Sequence, residues 1–407
     1  MLTTESVESI VYDPFLEVPQ KSERIVELLA AQPNHGVAAA AACLLATDDE
    51  RVAAFVTDYL ALIPGAAPDK TRVAERLRGA GPLVLAAARL VPWLPTPLID
   101  GFIADYLQQP VPGSPLLSVI YEIAALRPDR LRPYAARIDH PSLRRGMLSG
   151  APDTWVTDLV DRWHVEHDLD VLDALARVRT PAAANALLAL RDEVDDRHHW
   201  ETLIGMAGRL PDSCERSSAV PAFLGFVVER ERTPHVMGGA FPGDVPICPV
   251  CDAPAERVLT LDAGSLPFQL RQNPSFFWYT CDCDVLDFTT VQIRPDGLRV
   301  FFTPQGGPSP GGKLVPGGER GLLIEPHPNQ TGVSLDAFGG SGRHQVGGPP
   351  RWIEPDIHPR CPGCSQPMMF VASVDSGLTP FGPLGFEGIL YGFWCDGCAI
   401  SDTRRQG

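Results

Sequence analysis

The chain has 407 residues with 44% hydrophobic and 21% charged side chains, a composition that excludes an intrinsically disordered protein and is long enough for two or more domains. Its 34 basic and 50 acidic side chains leave a net charge of −16, with no basic cluster, which argues against generic nucleic-acid binding and favours a basic protein partner. No run of 18 apolar residues is present, and the opening "MLTTESVESIVYDPF" carries acids where a secretion signal needs bases, so a cytoplasmic protein is expected.

From about residue 20 to 230 the apolar residues recur at helical spacing. In "SERIVELLAAQ", Ile25, Leu28 and Leu29 share a face, with Ser22 as the expected cap. "DDERVAAFVTDYLALI" repeats the device, with Asp48 or Asp49 capping and Val52, Phe55, Val56 and Leu60 inward. "PDKTRVAERLRGA", "TPLIDGFIADYLQQ", "SPLLSVIYEIAALRP", "DTWVTDLVDRWHVEH", "DLDVLDALARV", "TPAAANALLALRDEV" and "HHWETLIGMAGRL" follow, each bounded by Pro, Gly or Asp. Short helices on short loops must stack to bury their stripes, which gives HEAT-like helical repeats or, more plainly, a compact all-α domain.

Composition changes near Arg232. The runs "RVLTL", "FFWYTC", "DFTTVQI", "LRVFFT", "MMFVASV" and "ILYGFWC" have β character, and residues 303–321 and 336–352 are rich in Gly and Pro, as loops or linkers are. The expected organisation is an α+β multidomain chain: an all-α, HEAT-like part over 1–232, then a β-rich part over 233–407. Two cysteine modules, 233–302 and 343–407, flank a Gly/Pro-rich linker in that second part.

The second half carries an internal repeat. Cys248, Asp262, Gly264, Pro267 and Phe268 recur 113 residues later as Cys361, Asp375, Gly377, Pro380 and Phe381. Each copy offers four cysteines: Cys248 and Cys251 then, after 29 residues, Cys281 and Cys283; Cys361 and Cys364 then, after 30 residues, Cys395 and Cys398. C-x-x-C elbows direct paired thiolates at one ion, the C-x-C pair Cys281 and Cys283 being tighter than the rest, and four thiolates fill a tetrahedral zinc shell, so two structural zinc ions are expected. Redox chemistry at the cysteine pairs and interleaved pairing between the copies are the competing readings. A filled shell has no open position, so no catalytic residue is assigned.

The stretch His344–Gln406, with "HQVGGPPRW", "CPGC", "PMMF", "GILYGFWCDGC" and the closing Gln, resembles the YwqG-like family of bacterial proteins, and through the repeat so does 235–292. The programmed-cell-death-2 proteins carry similar short elements. The resemblance implies a β-rich domain with no assigned activity and no catalytic residues to carry over.

The remaining candidates read first as structural. His235 and His344 precede the repeated Gly-Gly, Asp262 and Asp375 fit turns, and Asp282, Asp284 and Asp287 fit solvated turn acids. Asp192, Glu193, Asp195, Asp196, His198 and His199 fit a loop before a helix start, and Cys43 and Cys214 fit packing positions. No P-loop, G-x-G-x-x-G, G-x-S-x-G or H-E-x-x-H motif occurs.

Three function classes follow. The first is a non-enzymatic protein-binding protein, of the immunity, antidote or adaptor kind, in a bacterium whose use of 31 Arg and 3 Lys suggests a GC-rich genome. The second is a zinc-ribbon-like factor on nucleic acid or ribosomes, using Arg351, Arg360, Arg404 and Arg405. The third is an enzyme with a site between its halves.

Overall fold

The computed structural model describes residues 4–108, 110, 113–210, 220–248, 251–279, 281, 288–294, 297–301, 314–315, 318–332, 344–354 and 358–407. The architecture is α+β, helical in its N-terminal part and built on an antiparallel sheet in its C-terminal part. Contacts divide the chain into two compact units, one formed by Met1–Met147 with Gly377–Pro383 and the other by Leu148–Leu335, Arg343–Ser376 and Leu384–Gly407.

In the first unit every helix expected from periodicity forms. Helix Glu50–Leu62 starts where Asp49 accepts hydrogen bonds from the amides of Arg51 and Val52, and it buries Val52, Val56 and Leu60. Helix Val18–Ala30 departs from expectation at its start. Glu17 and Gln20 close a capping box ahead of Ser22, whose hydroxyl instead donates to the Val18 carbonyl. Pro19 in the first turn fits this earlier start. "GPLVLAAARLVPW" folds as a 3₁₀ run, Gly81–Trp93, that buries Leu83, Ala87, Leu90 and Val91. Lys70 is fully buried: its ammonium donates to the Ile63 carbonyl at 2.6 Å and lies 3.1 Å from the centre of the Trp93 ring. No described helix is long and apolar enough to cross a membrane.

The second unit opens with helices Asp153–Glu166, Leu169–Val178, Pro181–Ala189 and Arg197–Met206, packed around Leu172, Leu175, Leu187 and Leu203. Thirteen strands follow among the described residues of the chain: β1 (Phe223–Val228), β2 (Val236–Met237), β3 (Glu256–Thr260), β4 (Ser275–Trp278), β5 (Phe288–Arg294), β6 (Gly297–Val300), β7 (Arg320–Pro326), β8 (His344–Val346), β9 (Met369–Asp375), β10 (Leu378–Thr379), β11 (Gly382–Pro383), β12 (Ile389–Cys395) and β13 (Ile400–Gln406). Strands β10 and β11 form a hairpin that belongs to the first unit, where it packs on helix Val18–Ala30 and Phe381 meets His35 edge-on.

The other strands make one sheet in the order β4-β3-β2-β7-β1-β8-β9-β12-β13-β5-β6. Its pairings mirror each other about the antiparallel β1–β7 pair: β7 takes β2 and then β3 and β4, while β1 takes β8 and then β9 and β12. Both β3–β4 and β9–β12 contain a register shift, between Arg257 and Leu259 in one and opposite Phe370 and Ala372 in the other. The sheet begins at Phe223, ahead of the composition change at Thr233, because "FLGFVV" is apolar on both sides and carries no alternation to mark it as a strand. Most of 303–321 and 336–343 lies outside the described residues, but β7 and β8 are cut from the ends of these Gly/Pro-rich segments.

Candidate metal centres

Each first elbow is set by the same backbone device. Cys361 N donates to the Gln366 carbonyl at 2.9 Å and Ser365 N to the Cys361 carbonyl at 2.7 Å, with Ser365 left-handed at φ 61°. In the other elbow Cys248 N donates to Ala253, Asp252 N donates to Cys248, and Asp252 has φ 59°. Isolated bridges, Arg360 with Pro367 and Ile247 with Pro254, clamp the two turns at their bases. This geometry folds the chain back so tightly that both sulfurs of an elbow face the same point.

The sulfurs of Cys361, Cys364, Cys395 and Cys398 all lie within 4.8 Å of one another, as do those of Cys248, Cys251 and Cys281. The expected fourth member of the first set, Cys283, lies outside the described residues, as do Cys214, Asp282, Asp284 and Asp287. Cysteines within one copy therefore gather together, and the interleaved pairing is not the arrangement found. A metal–sulfur bond of about 2.3 Å gives tetrahedral edges of about 3.8 Å. The Cys364–Cys395 separation is 3.7 Å, the spacing of sulfurs around a shared ion and far beyond a disulfide bond.

The two sites differ in exposure. The second-copy site is the more open one at Cys364, which is exposed where its counterpart Cys251 is half-buried, although Cys361 is fully buried just as Cys248 is. In the exposed site Gly363 N donates to the Cys361 sulfur at 3.4 Å, and a Cβ at Gly363 would stand 3.2 Å from the Cys398 sulfur, so glycine lets the elbow close. Burial and then the neighbouring thiols push Cys395 up and Cys398 up to about 11. Cys364 falls below its ordinary value: burial opposes the change, but bonds from the Gln366 backbone and the other three thiols outweigh it. Crowded thiols without a countercharge cannot all ionise, and a dication at their centre would reverse that balance.

Aromatic residues form the floor of the exposed site. Trp352 stacks on Phe393 at 5.6 Å and lies 4.8 Å from Tyr391, whose hydroxyl donates to the Arg351 carbonyl. Gln406 fastens this segment by accepting from Ile353 N and Glu354 N and donating to the Glu354 carbonyl.

His235 and His344 are buried and act through Nδ1, accepting from Asp262 N at 3.0 Å and Asp375 N at 3.2 Å. The two repeated residue types flagged separately in the sequence are thus partners within each copy. Burial holds both imidazoles neutral against the pull of Asp262 and Asp375, lowering His344 to about 4. Arg351 pairs with Asp375 at 3.2 Å, Arg360 lies 3.8 Å from Glu201, and Arg404 pairs with Asp402 at 2.9 Å. The acidic run near residue 195 is a helix start: Asp196 accepts from His198 N and His199 N, and Glu193 accepts from Trp163 Nε1. Cys43 is buried among helices.

A cavity of about 240 Å³ opens in the first unit among Ala54, Asp58, Leu85, Arg89, Ser118 and Glu122. Asp58 and Arg89 pair across 2.8 Å, and no histidine or cysteine stands beside Ser118 in the lining to make it a nucleophile.

The chain is 35% identical over 83 residues to an uncharacterised protein, YpfL, of Salmonella typhimurium. That stretch spans 20% of this chain and 19% of the relative. It supports a likeness to a bacterial protein of unknown function and does not reach the YwqG-like family in particular. No family model and no solved structure matches the chain.

Proposed function

We propose that the chain is a non-enzymatic, cytoplasmic protein-binding protein whose C-terminal half consists of two copies of one module, each stapled by a structural zinc ion. The observation that carries this reading is the four-sulfur set of Cys361, Cys364, Cys395 and Cys398. Four thiolates suit zinc over harder ions and leave no position for substrate or water. Zinc binding contributes folding free energy of about 10 kcal/mol or more per site, which compensates for short strands and long turns.

A net charge of −16 favours a basic protein as the partner, of the kind an immunity or adaptor protein takes. The nucleic-acid reading is weaker, because Arg351, Arg360 and Arg404 face acidic side chains within the fold. Elemental analysis of the purified protein is expected to give two zinc ions per chain. Capture from the native host at low salt is expected to retain a basic protein that elutes as salt rises. Metal content far below two equivalents would refute the staple, and salt-sensitive retention of nucleic acid in place of protein would refute the partner class.

A further inference from the structure

The cavity in the first unit is built by three elements that each contribute stacked side chains. Helix Glu50–Leu62 supplies Ala54 and Asp58, and helix Pro115–Leu126 supplies Ser118 and Glu122; in both the two residues are four apart and so share a face. The 3₁₀ run Gly81–Trp93, which packs on both helices, stacks residues three apart and so sets Ala88 over Leu85 and Arg89 over Ala86. Alanine or serine at four of these eight positions leaves the space open. Charge is graded with depth. At the mouth the Asp58 side chain, 55% exposed, pairs with Arg89 beside the exposed Leu85, whereas Glu122 is only 3% exposed. The lining therefore holds two carboxylates against one guanidinium, and one carboxylate is buried, where a charge acts through a lower dielectric than at the surface.

Size and lining decide what fits. The volume of about 240 Å³ lies below the about 300–1,000 Å³ of pockets for drug-sized ligands, so the occupant is a fragment or a single side chain. A hard metal ion takes about six oxygen ligands, and half of this lining is Ala or Leu. We propose that the cavity binds an organic cation, a guanidinium or ammonium group on a short alkyl stem. Glu122 and the Ser118 hydroxyl receive its N–H groups, and Leu85, Ala86 and Ala88 cover the stem. Two sources present this chemistry: a free alkylguanidine or alkylamine, and an Arg or Lys side chain of a protein. The site is independent of the metal centres, while a protein as its source rests on the basic-partner reading above.

The test titrates the full-length protein, by calorimetry, with n-butylguanidinium, the capped peptide acetyl-Gly-Arg-Gly-amide and neutral n-pentanol. Butylguanidinium is expected to bind about tenfold or more tightly than pentanol, because only the cation makes charge-assisted hydrogen bonds. Glu122→Gln should weaken butylguanidinium about tenfold and leave pentanol unchanged, and Ala86→Leu should abolish both by filling the space. Binding of the peptide as well as butylguanidinium supports a socket for a partner's side chain. Binding of butylguanidinium alone supports a site for a free ligand and removes the cavity from the basic-partner reading, which then stands or falls elsewhere. Binding of neither cation, or equal binding by wild type and Glu122→Gln, would overturn the proposal. Should the variants fail to fold, NMR of the wild type decides: Overhauser effects between the butyl protons and the Ala86 and Ala88 methyls support the site, and their absence at saturating butylguanidinium refutes it.

Discussion

His344 makes the stability of the second unit depend on pH. Its folded-state value of about 4 lies below the unfolded value of about 6.5, because burial excludes the charged ring. Folding therefore favours the neutral form, so the contribution is complete above about pH 6.5 and is lost as pH falls through the window down to about 4. Linkage over those two values gives a loss of about 2 kcal/mol between pH 7 and pH 5. Asp375, which accepts from Arg351, opposes the loss, and the burial of His235, opposed likewise by Asp262, adds to it in the same direction. His344→Asn keeps an acceptor near the Nδ1 position for the Asp375 amide and removes the titration. Urea unfolding followed by tryptophan fluorescence, in wild type and variant at both pH values, gives a double difference in which acid effects on the cysteine centres cancel. The variant should lose about 2 kcal/mol less than wild type on acidification. Equal losses would refute the account of a buried, neutral imidazole.

Other expectations follow from single features. Cys361→Ser should lower the zinc content by one equivalent and sharply lower the melting temperature, since the staple is a folding contribution; two equivalents by elemental analysis would count against it. Gly347 has φ 67° and a Cβ there would stand 2.4 Å from the Pro221 carbonyl oxygen, so Gly347→Ala should cost more than the ~1 kcal/mol of a left-handed alanine alone, read by denaturant midpoint. Asp196→Ala removes two amide partners at the start of helix Arg197–Met206 and should destabilise by about 1 kcal/mol, with Asp196→Asn retaining most of that loss-free behaviour in thermal melts.

What could be read from the sequence was what repeats locally. Apolar spacing located the helices because each needs only its own stripe, and the pair Asp48 and Asp49 and the acidic run at 192–196 marked two of their starts. Cysteine spacing located the sites because an elbow is a local turn. The missing elements depend on distant partners: β1 and β7 pair Phe223 with Pro326, and neither "FLGFVV" nor "RGLLIEP" alternates in a way that names that partner. Lys70 was invisible for the same reason, since its burial is set by Ile63 and Trp93 on separate elements. The hydrogen bonds from Asp262 to His235 and from Asp375 to His344 lay within reach, because the same pair of residues recurs in both copies.

The link between the centres runs through one ribbon. Strand β5 follows the cysteines of the first copy and β13 those of the second, and the two strands pair with each other, Ile400 opposite Gln292 and Ser401 opposite Val291. Val291 and Ile293 belong to or pack against the core of the first centre, while Ile400 belongs to the core of the second. Alternation along a strand puts Val291 and Ile293 on the face opposite Gln292, and Ile400 shares the Gln292 face, so the two centres lie on opposite faces of the same ribbon. Gln292 Nε2 also donates to the Cys398 carbonyl at 3.0 Å, and Ile293 N to the Ala399 carbonyl at 3.2 Å, which ties a strand of the first copy to the second elbow of the other. A metal held on either face would thereby order the backbone that both faces share.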